Sequence, residues 1–303
     1  MSSAATIRTV KVGGVDVSCT LSGFDGFDEH GFDERGIDEH GIDEHGIDER
    51  GIDERGIGGQ SVDPVILLAG IGGTAASDFS FLLPLLARTR PVLAVDLGYG
   101  GGSGRLDGLV DQLAGVLSAV LPGRRVSLVG FSVGATVAAA FAADNPVVAS
   151  LVLVTPVVRA SRRHRMLAAL RGHLDAAGDD GLRALDIFST HSAMFLEKHS
   201  PEPFSKDGAT TAQMSLFADS DLTEALPHVT APTLVVGCTH DDIAGVDGAL
   251  EVFASLSNCR YAEIDSGHAV LAERPAEVLA MIREFVSHPA RLRAGSVREE
   301  ARP

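Results

Sequence analysis

The residues best placed to do chemistry are Gly130-Phe131-Ser132-Val133-Gly134. A serine hydroxyl is a poor nucleophile until it is exposed, aimed and relieved of its proton. The apolar run Val126–Phe131 leads in as a strand, and the alanine-rich run Thr136–Ala143 leads out as a helix. A sharp turn between the two would expose the hydroxyl and aim it. Side chains at 130 and 134 would collide in such a turn, which accounts for glycine at both. The new helix would also point free N–H groups and its positive dipole end at the serine. A five-residue pattern with two free positions arises readily by chance. Its place between strand and helix is what gives it weight.

The surrounding elements alternate. Thr6–Val12 and Val15–Leu21 read as a strand pair joined at Gly13-Gly14, followed by the strongly apolar strand Pro64–Ala69. Ser77–Arg88 reads as a helix broken by Pro84, and Pro91–Asp96 as a strand. Leu106–Leu121 carries a helical apolar stripe. Later strands are Ala149–Thr155, Thr233–Gly237 and Arg260–Ile264, and later helices are Val246–Leu256 and Ala276–Val286. Apolar strands alternating with helices predict a mostly parallel sheet covered on both faces. Between Thr155 and Ala231 the rhythm breaks into helical stretches at Arg162–Leu174, Gly181–His191 and Thr211–Phe217. Their apolar residues Phe188, Met194, Phe195, Phe204, Met214 and Phe217 suit a helical cap over the carboxyl edge of the sheet.

Composition bounds the rest. The chain has 303 residues, 45% of them hydrophobic, no Trp and two Tyr, so its core is aliphatic. Cys19, Cys238 and Cys259 are scattered and lack metal-site spacing, which suits a reducing, cytoplasmic setting. No stretch reaches membrane-spanning length. The net charge of −16 disfavours nucleic acid as a partner. Most of that charge is local. Residues 26–55 are six copies of Gly-[Phe/Ile]-Asp-Glu-[His/Arg]. A period of five fits neither strand nor helix, so a flexible acidic insertion is expected, with His30, His40 and His45 at most loose metal ligands. Entering a strand at its amino end, it belongs on the rim opposite the reactive serine.

With these elements in this order, the chain resembles the α/β-hydrolase family over nearly its whole length. The resemblance implies an α/β fold: a mostly parallel, doubly wound sheet of the α/β-hydrolase type with a helical cap. The expected parts are an N-terminal hairpin (1–23), the repeat insertion (24–57), a first core segment (58–155), the cap (156–230), a second core segment (231–290) and a flexible tail (291–303). By the same resemblance, Ser132 is the nucleophile and His268, in Ser266-Gly267-His268, the general base. The acid follows strand Thr233–Gly237, at Asp241 in preference to its neighbour Asp242; His240 is a rival histidine of that loop. The oxyanion hole falls to the N–H groups of Ile71 and Val133. Gly72, Phe131 and Phe195 are candidate substrate contacts. Ala69 departs from the family, which commonly has His before this glycine. Asp96 and Ser103 bracket a glycine run that resembles a structural loop of the family near the site.

The implied reaction is hydrolysis of an ester or thioester of a small acyl substrate through an acyl-enzyme, with no cofactor, metal, nucleic acid or membrane. The same three residues also serve lyases, carbon–carbon hydrolases and cofactor-free oxygenases, and the fold can serve as a ligand-binding protein. Polar groups in the cap pocket away from Ser132 would favour the non-hydrolytic chemistries. An Asp nucleophile would have suggested a dehalogenase or epoxide hydrolase. The glycine run Gly98–Gly104 lacks the Lys-Ser/Thr and the spacing of a phosphate-binding loop.

Overall fold

The structure, a computed structural model, describes residues 5–24, 62–99, 105–178, 181–201, 214 and 220–299. The repeat at 26–55 and the glycine run at 100–104, Ser103 included, lie outside them. Among the described residues, nine strands form one sheet: β1 Thr6–Val12, β2 Val15–Ser22, β3 Val65–Leu68, β4 Val92–Asp96, β5 Val126–Phe131, β6 Val148–Val154, β7 Thr233–Cys238, β8 Cys259–Ile264 and β9 Val297–Glu299. Their order is β1-β2-β4-β3-β5-β6-β7-β8-β9. The β1–β2 and β2–β4 pairs are antiparallel, and every later pair is parallel.

Local sequence accounts for this arrangement. Gly13 and Gly14 both take positive φ, 54° and 81°, as a two-residue hairpin turn requires. The inner strands β3, β5 and β6 are buried along their whole length, as strands covered on both faces must be. One face packs on α3 (Leu106–Val120), α4 (Val133–Asp144) and α8 (Val246–Ser255), through residues such as Leu113, Val137 and Val252. The other packs on α1 (Ala75–Asp78), α2 (Leu82–Leu86) and α10 (Pro275–Ser287), through Phe79, Leu82, Ile282 and Phe285.

The cap comprises α5 (Arg162–Ala177), α6 (Gly181–Thr190) and α7 (Ala193–Leu196). Of the further helix read at Thr211–Phe217, only Met214 is described, in helical conformation. An isolated antiparallel bridge, Arg159 to Asp221, joins the two ends of the cap. The remaining short helix, α9 (Val270–Glu273), follows β8.

Two readings need correction. Ser77–Arg88 is not one helix interrupted at Pro84. It is α1 and α2, and Pro84 lies in the first turn of α2, where a missing N–H costs nothing. The tail at 291–303 is not wholly frayed. Val297–Glu299 pairs with Tyr261–Glu263 as β9 and so covers the open backbone edge of β8. Arg260 anchors the approach, donating from Nε to the Leu292 carbonyl at 2.8 Å.

Helix α3 crosses the N-terminal hairpin at Gly115. A Cβ there would stand 2.6 Å from Val12 Cγ1. Ala is the better helix former by about 1 kcal/mol, but such overlap costs about 1–3 kcal/mol. Gly115→Ala is therefore expected to lower stability in urea unfolding, and adding Val12→Ala to restore it. A stabilised single variant would contradict this packing.

Candidate active site

The turn between β5 and α4 holds Ser132 at φ 53° and ψ −118°. A non-glycine residue at such angles costs about 1–3 kcal/mol and persists only where its surroundings enforce it. The surroundings are tight. A Cβ at Gly130 would lie 2.4 Å from the Gly134 carbonyl oxygen, and one at Gly134 would lie 2.2 Å from that of Leu68. The Ser132 N–H donates to the Val154 carbonyl at 2.9 Å, tying the turn to β6. Val133 opens α4, so its N–H has no acceptor within the helix.

His268 follows β8. Its Nε2 lies 2.9 Å from Ser132 Oγ, and its Nδ1 lies 2.9 Å from Asp241 Oδ2. The other Asp241 oxygen accepts the N–H groups of Ile243 at 2.8 Å and Ala244 at 2.9 Å. Burial alone would raise the Asp241 pKa, but His268 and the two backbone donors outweigh it and hold it below the usual carboxylate range. An ionised Asp241 can only accept. Nδ1 therefore donates to it, and Nε2 is left to receive the serine proton.

The neighbouring acid is excluded from this relay. Asp242 turns outward to Arg163, with Nη2 to Oδ1 at 2.6 Å and both side chains more than half exposed. His240 pairs with Asp265 at 2.9 Å. The Phe131 ring centroid stands 5.4 Å from that of His268.

A cavity of about 600 Å³, its open mouth included, lies between this cluster and the cap. Gly70, Ile71, Phe131, Ser132, Ile243 and His268 line it from the core, and Leu167, Arg171, Leu185, Asp186, Ser189, Thr190 and Met214 from the cap. Two candidate contacts lie elsewhere. Phe195 stacks between His191 and His199, at centroid distances of 5.4 and 4.1 Å, and is not in the lining, because the short α7 directs it to these rings. Gly72 is not in the lining either, and takes φ 77° in the turn beyond Ile71.

Several supporting residues were not read from the sequence, Asp96 excepted. Asp78 Oδ2 accepts the Gly70 N–H at 3.0 Å, and a Cβ at Gly73 would lie 2.2 Å from Asp78 Oδ1. Asp78 thus holds the loop carrying Ile71. Asp96 secures the next stretch, accepting the Ala75 N–H at 2.6 Å. His164 takes the Ser161 N–H on Nδ1 at 2.8 Å, which leaves Nε2–H to donate to the Ile243 carbonyl at 2.7 Å. The cap helix α5 thereby braces the acid loop. Glu273 accepts from the Ser192 N–H and Oγ, both at 2.7 Å, and from the Gly267 N–H at 3.3 Å, tying the cap to the histidine loop. Asp96 was marked by the glycine run that follows it, and of the rest only His164 had a local signal, the Ser161-x-x-His164 spacing of a helix N-terminus. The others act across loops whose meeting no local pattern encodes.

Among the described residues, no group of three or more His, Cys, Asp or Glu is placed to hold a metal ion. Nor is any helix among them long and apolar enough to cross a membrane. The three cysteines are free and buried.

The fold and this cluster define a hydrolase-type site, and residues 65–281 match the model of the alpha/beta hydrolase family. The chain belongs to that family. It is 27% identical over 240 residues to pyrrolizixenacetamide deacetylase of Xenorhabdus hominickii, covering 73% of this chain and 90% of that one. It is 27% identical over 258 residues to the putative carbamate hydrolase RutD of Pantoea ananatis, covering 77% and 94%. The enol-lactonase from Burkholderia xenovorans LB400 superposes with a TM-score of 0.70 over 92% of this chain and 100% of its own, at 17% identity.

Asp78 offers a pH signature. Burial chiefly, with some help from Asp96, pushes its pKa up from 3.8 to about 6, against the pull of the Gly70 and Ser77 hydrogen bonds and of His268. The folded protein then keeps a proton that the unfolded chain has released. This stabilising contribution is full below about 3.8 and is lost as pH rises through about 6. The Tm of the wild type minus that of Asp78→Asn should therefore fall across this window and level off above it. A difference that is flat or rises with pH would contradict the assignment.

Proposed function

We propose that this protein is a serine hydrolase acting on an ester, thioester or amide of a small acyl substrate through an acyl-enzyme. The observation that carries this reading is the unbroken relay from Ser132 Oγ through His268 to Asp241, two hydrogen bonds of 2.9 Å. In the proposed reaction, Ser132 Oγ attacks the carbonyl carbon while His268 Nε2 takes its proton. Asp241 stabilises the imidazolium. The N–H groups of Ile71 and Val133 hold the oxyanion, each worth roughly 10²–10³ in rate. The tetrahedral species collapses, and His268 returns the proton to the leaving alcohol, thiol or amine. Water then attacks the acyl carbon, losing a proton to His268. The carboxylic acid leaves with Ser132 restored. The named activities of the two curated relatives, a deacetylase and a carbamate hydrolase, support acyl–nitrogen as well as acyl–oxygen bonds.

The polar pair Arg171–Asp186 in the cap favours a second reading, a lyase or carbon–carbon hydrolase on the same relay. Products formed in heavy-oxygen water separate lyase from hydrolase, because only hydrolysis places solvent oxygen in the acid. The bond broken in the products separates ester, thioester or amide cleavage from carbon–carbon cleavage.

A fluorophosphonate probe is expected to label the wild type and not Ser132→Ala. Equal labelling of both, or labelling of neither with both folded, would defeat the serine reading. In p-nitrophenyl ester turnover, Asp241→Asn is expected to lose roughly 10⁴ in kcat, by the logic of a misheld histidine tautomer. Asp242→Asn should stay within a few-fold of the wild type. The reverse ranking would move the acid to Asp242.

A further inference from the structure

Arg171 projects from α5 into the lining of the cavity above Ser132 and His268, and its side chain is only 6% exposed. Its Nη1 pairs with Asp186 of α6, a side chain equally buried. Among the described residues its Nε and Nη2 have no hydrogen-bond partner. Buried donors of a charged group are costly to leave unmet, so these two mark a place for an acceptor. Nε–H and one Nη2–H lie on the same edge of the guanidinium and point the same way. The free edge is a ready-made fork for an oxygen acceptor.

Charge decides which acceptor. Asp186 already offsets Arg171, and Asp175, one turn along α5, adds a second negative charge near the guanidinium. Asp241, in the relay below, is held below the usual carboxylate range by His268 and two backbone N–H groups, which favours its negative form. The rest of the lining is largely apolar, through Phe131, Leu167, Leu185 and Ile243. A substrate carboxylate would bring a further uncompensated negative charge into this low-dielectric space. A neutral carbonyl oxygen has two lone pairs for the fork and adds no charge.

We propose that the free edge of Arg171 receives a second, non-scissile carbonyl of the substrate, so that the substrate class is neutral acyl compounds bearing a ketone, amide or further ester besides the bond that is cleaved. This rests on the serine-hydrolase reading for which bond is broken. The recognition itself can be measured without turnover.

The test uses p-nitrophenyl alkanoates and the matching oxo-alkanoates, with the ketone moved carbon by carbon along the chain, and the corresponding ω-carboxyl esters. Binding is measured by calorimetry on Ser132→Ala, and kcat/KM on the Ser132 enzyme. At one ketone position the oxo-ester should bind about tenfold or more tighter than its plain counterpart. The same position should stand out in kcat/KM. Arg171→Lys keeps a cation for Asp186 but removes the two-donor edge, so the ratio of oxo-ester to plain-ester affinity should fall to about one. No preferred position in the Ser132→Ala background, or a preference that survives Arg171→Lys, would overturn the proposal. So would a carboxyl ester that binds better than every oxo-ester. Loss of turnover with the binding preference intact would instead count against the serine chemistry, and leave the recognition standing.

Discussion

The site depends on one backbone constraint, the left-handed turn at Ser132. The residue is held at φ 53° between a fully buried strand and a buried helix, and it cannot relax without moving one of them. The close approach that makes this possible needs hydrogen at two neighbouring Cα positions. Gly130 admits the first turn of α4, and Gly134 admits the backbone of β3. The strain thus stored at one residue is met by the packing of the sheet. Ser132 Oγ is thereby presented to His268, with the start of α4 beside it.

The relay is assembled from loops at the carboxyl ends of β5, β7 and β8, brought close because these strands share one parallel sheet. The cap secures two of those loops. Through Arg163 and His164 the start of α5 holds the acid loop. On the other side, Glu273 and the Thr190 carbonyl, which accepts the Ala269 N–H at 2.7 Å, hold the histidine loop. A Cβ at Gly267 would lie 2.5 Å from the Ser192 nitrogen, so cap and loop meet backbone to backbone. The cap is therefore part of the frame that orients His268 and Asp241, as well as the roof of the cavity.

The core was legible because its signals are local. Apolar runs of four to seven residues marked the strands, and glycine at 130 and 134 marked the turn. Ser132, His268 and Asp241 followed from family order, and the structure brings them together. The choice of Asp241 over Asp242 could not come from the pair alone, since adjacent residues differ only in direction. In the structure Asp242 meets Arg163, 79 residues earlier, and Asp241 meets His268. Asp78 and Glu273 were invisible because their partners are chiefly backbone N–H groups, which every residue carries. The structure stacks Phe195 between two histidine rings, a placement the sequence leaves open because an apolar residue in a cap is equally suited to a cavity or to a neighbouring ring. The strand at Val297–Glu299 was missed because three residues in a polar tail carry no periodicity, and only the open edge of β8 makes them a strand.

The proposed chemistry requires that Ser132 carry the acyl group. The most direct measurement is a pre-steady-state burst with p-nitrophenyl acetate, followed by acid quenching and peptide mapping. A burst of nitrophenol near one equivalent, with one acetyl group on the peptide containing Ser132, is the expected result. Turnover without a burst could still hide a fast deacylation, so the decisive contrast is the quenched peptide. An acetyl group on another residue, or undiminished ester hydrolysis in Ser132→Ala, would contradict the account.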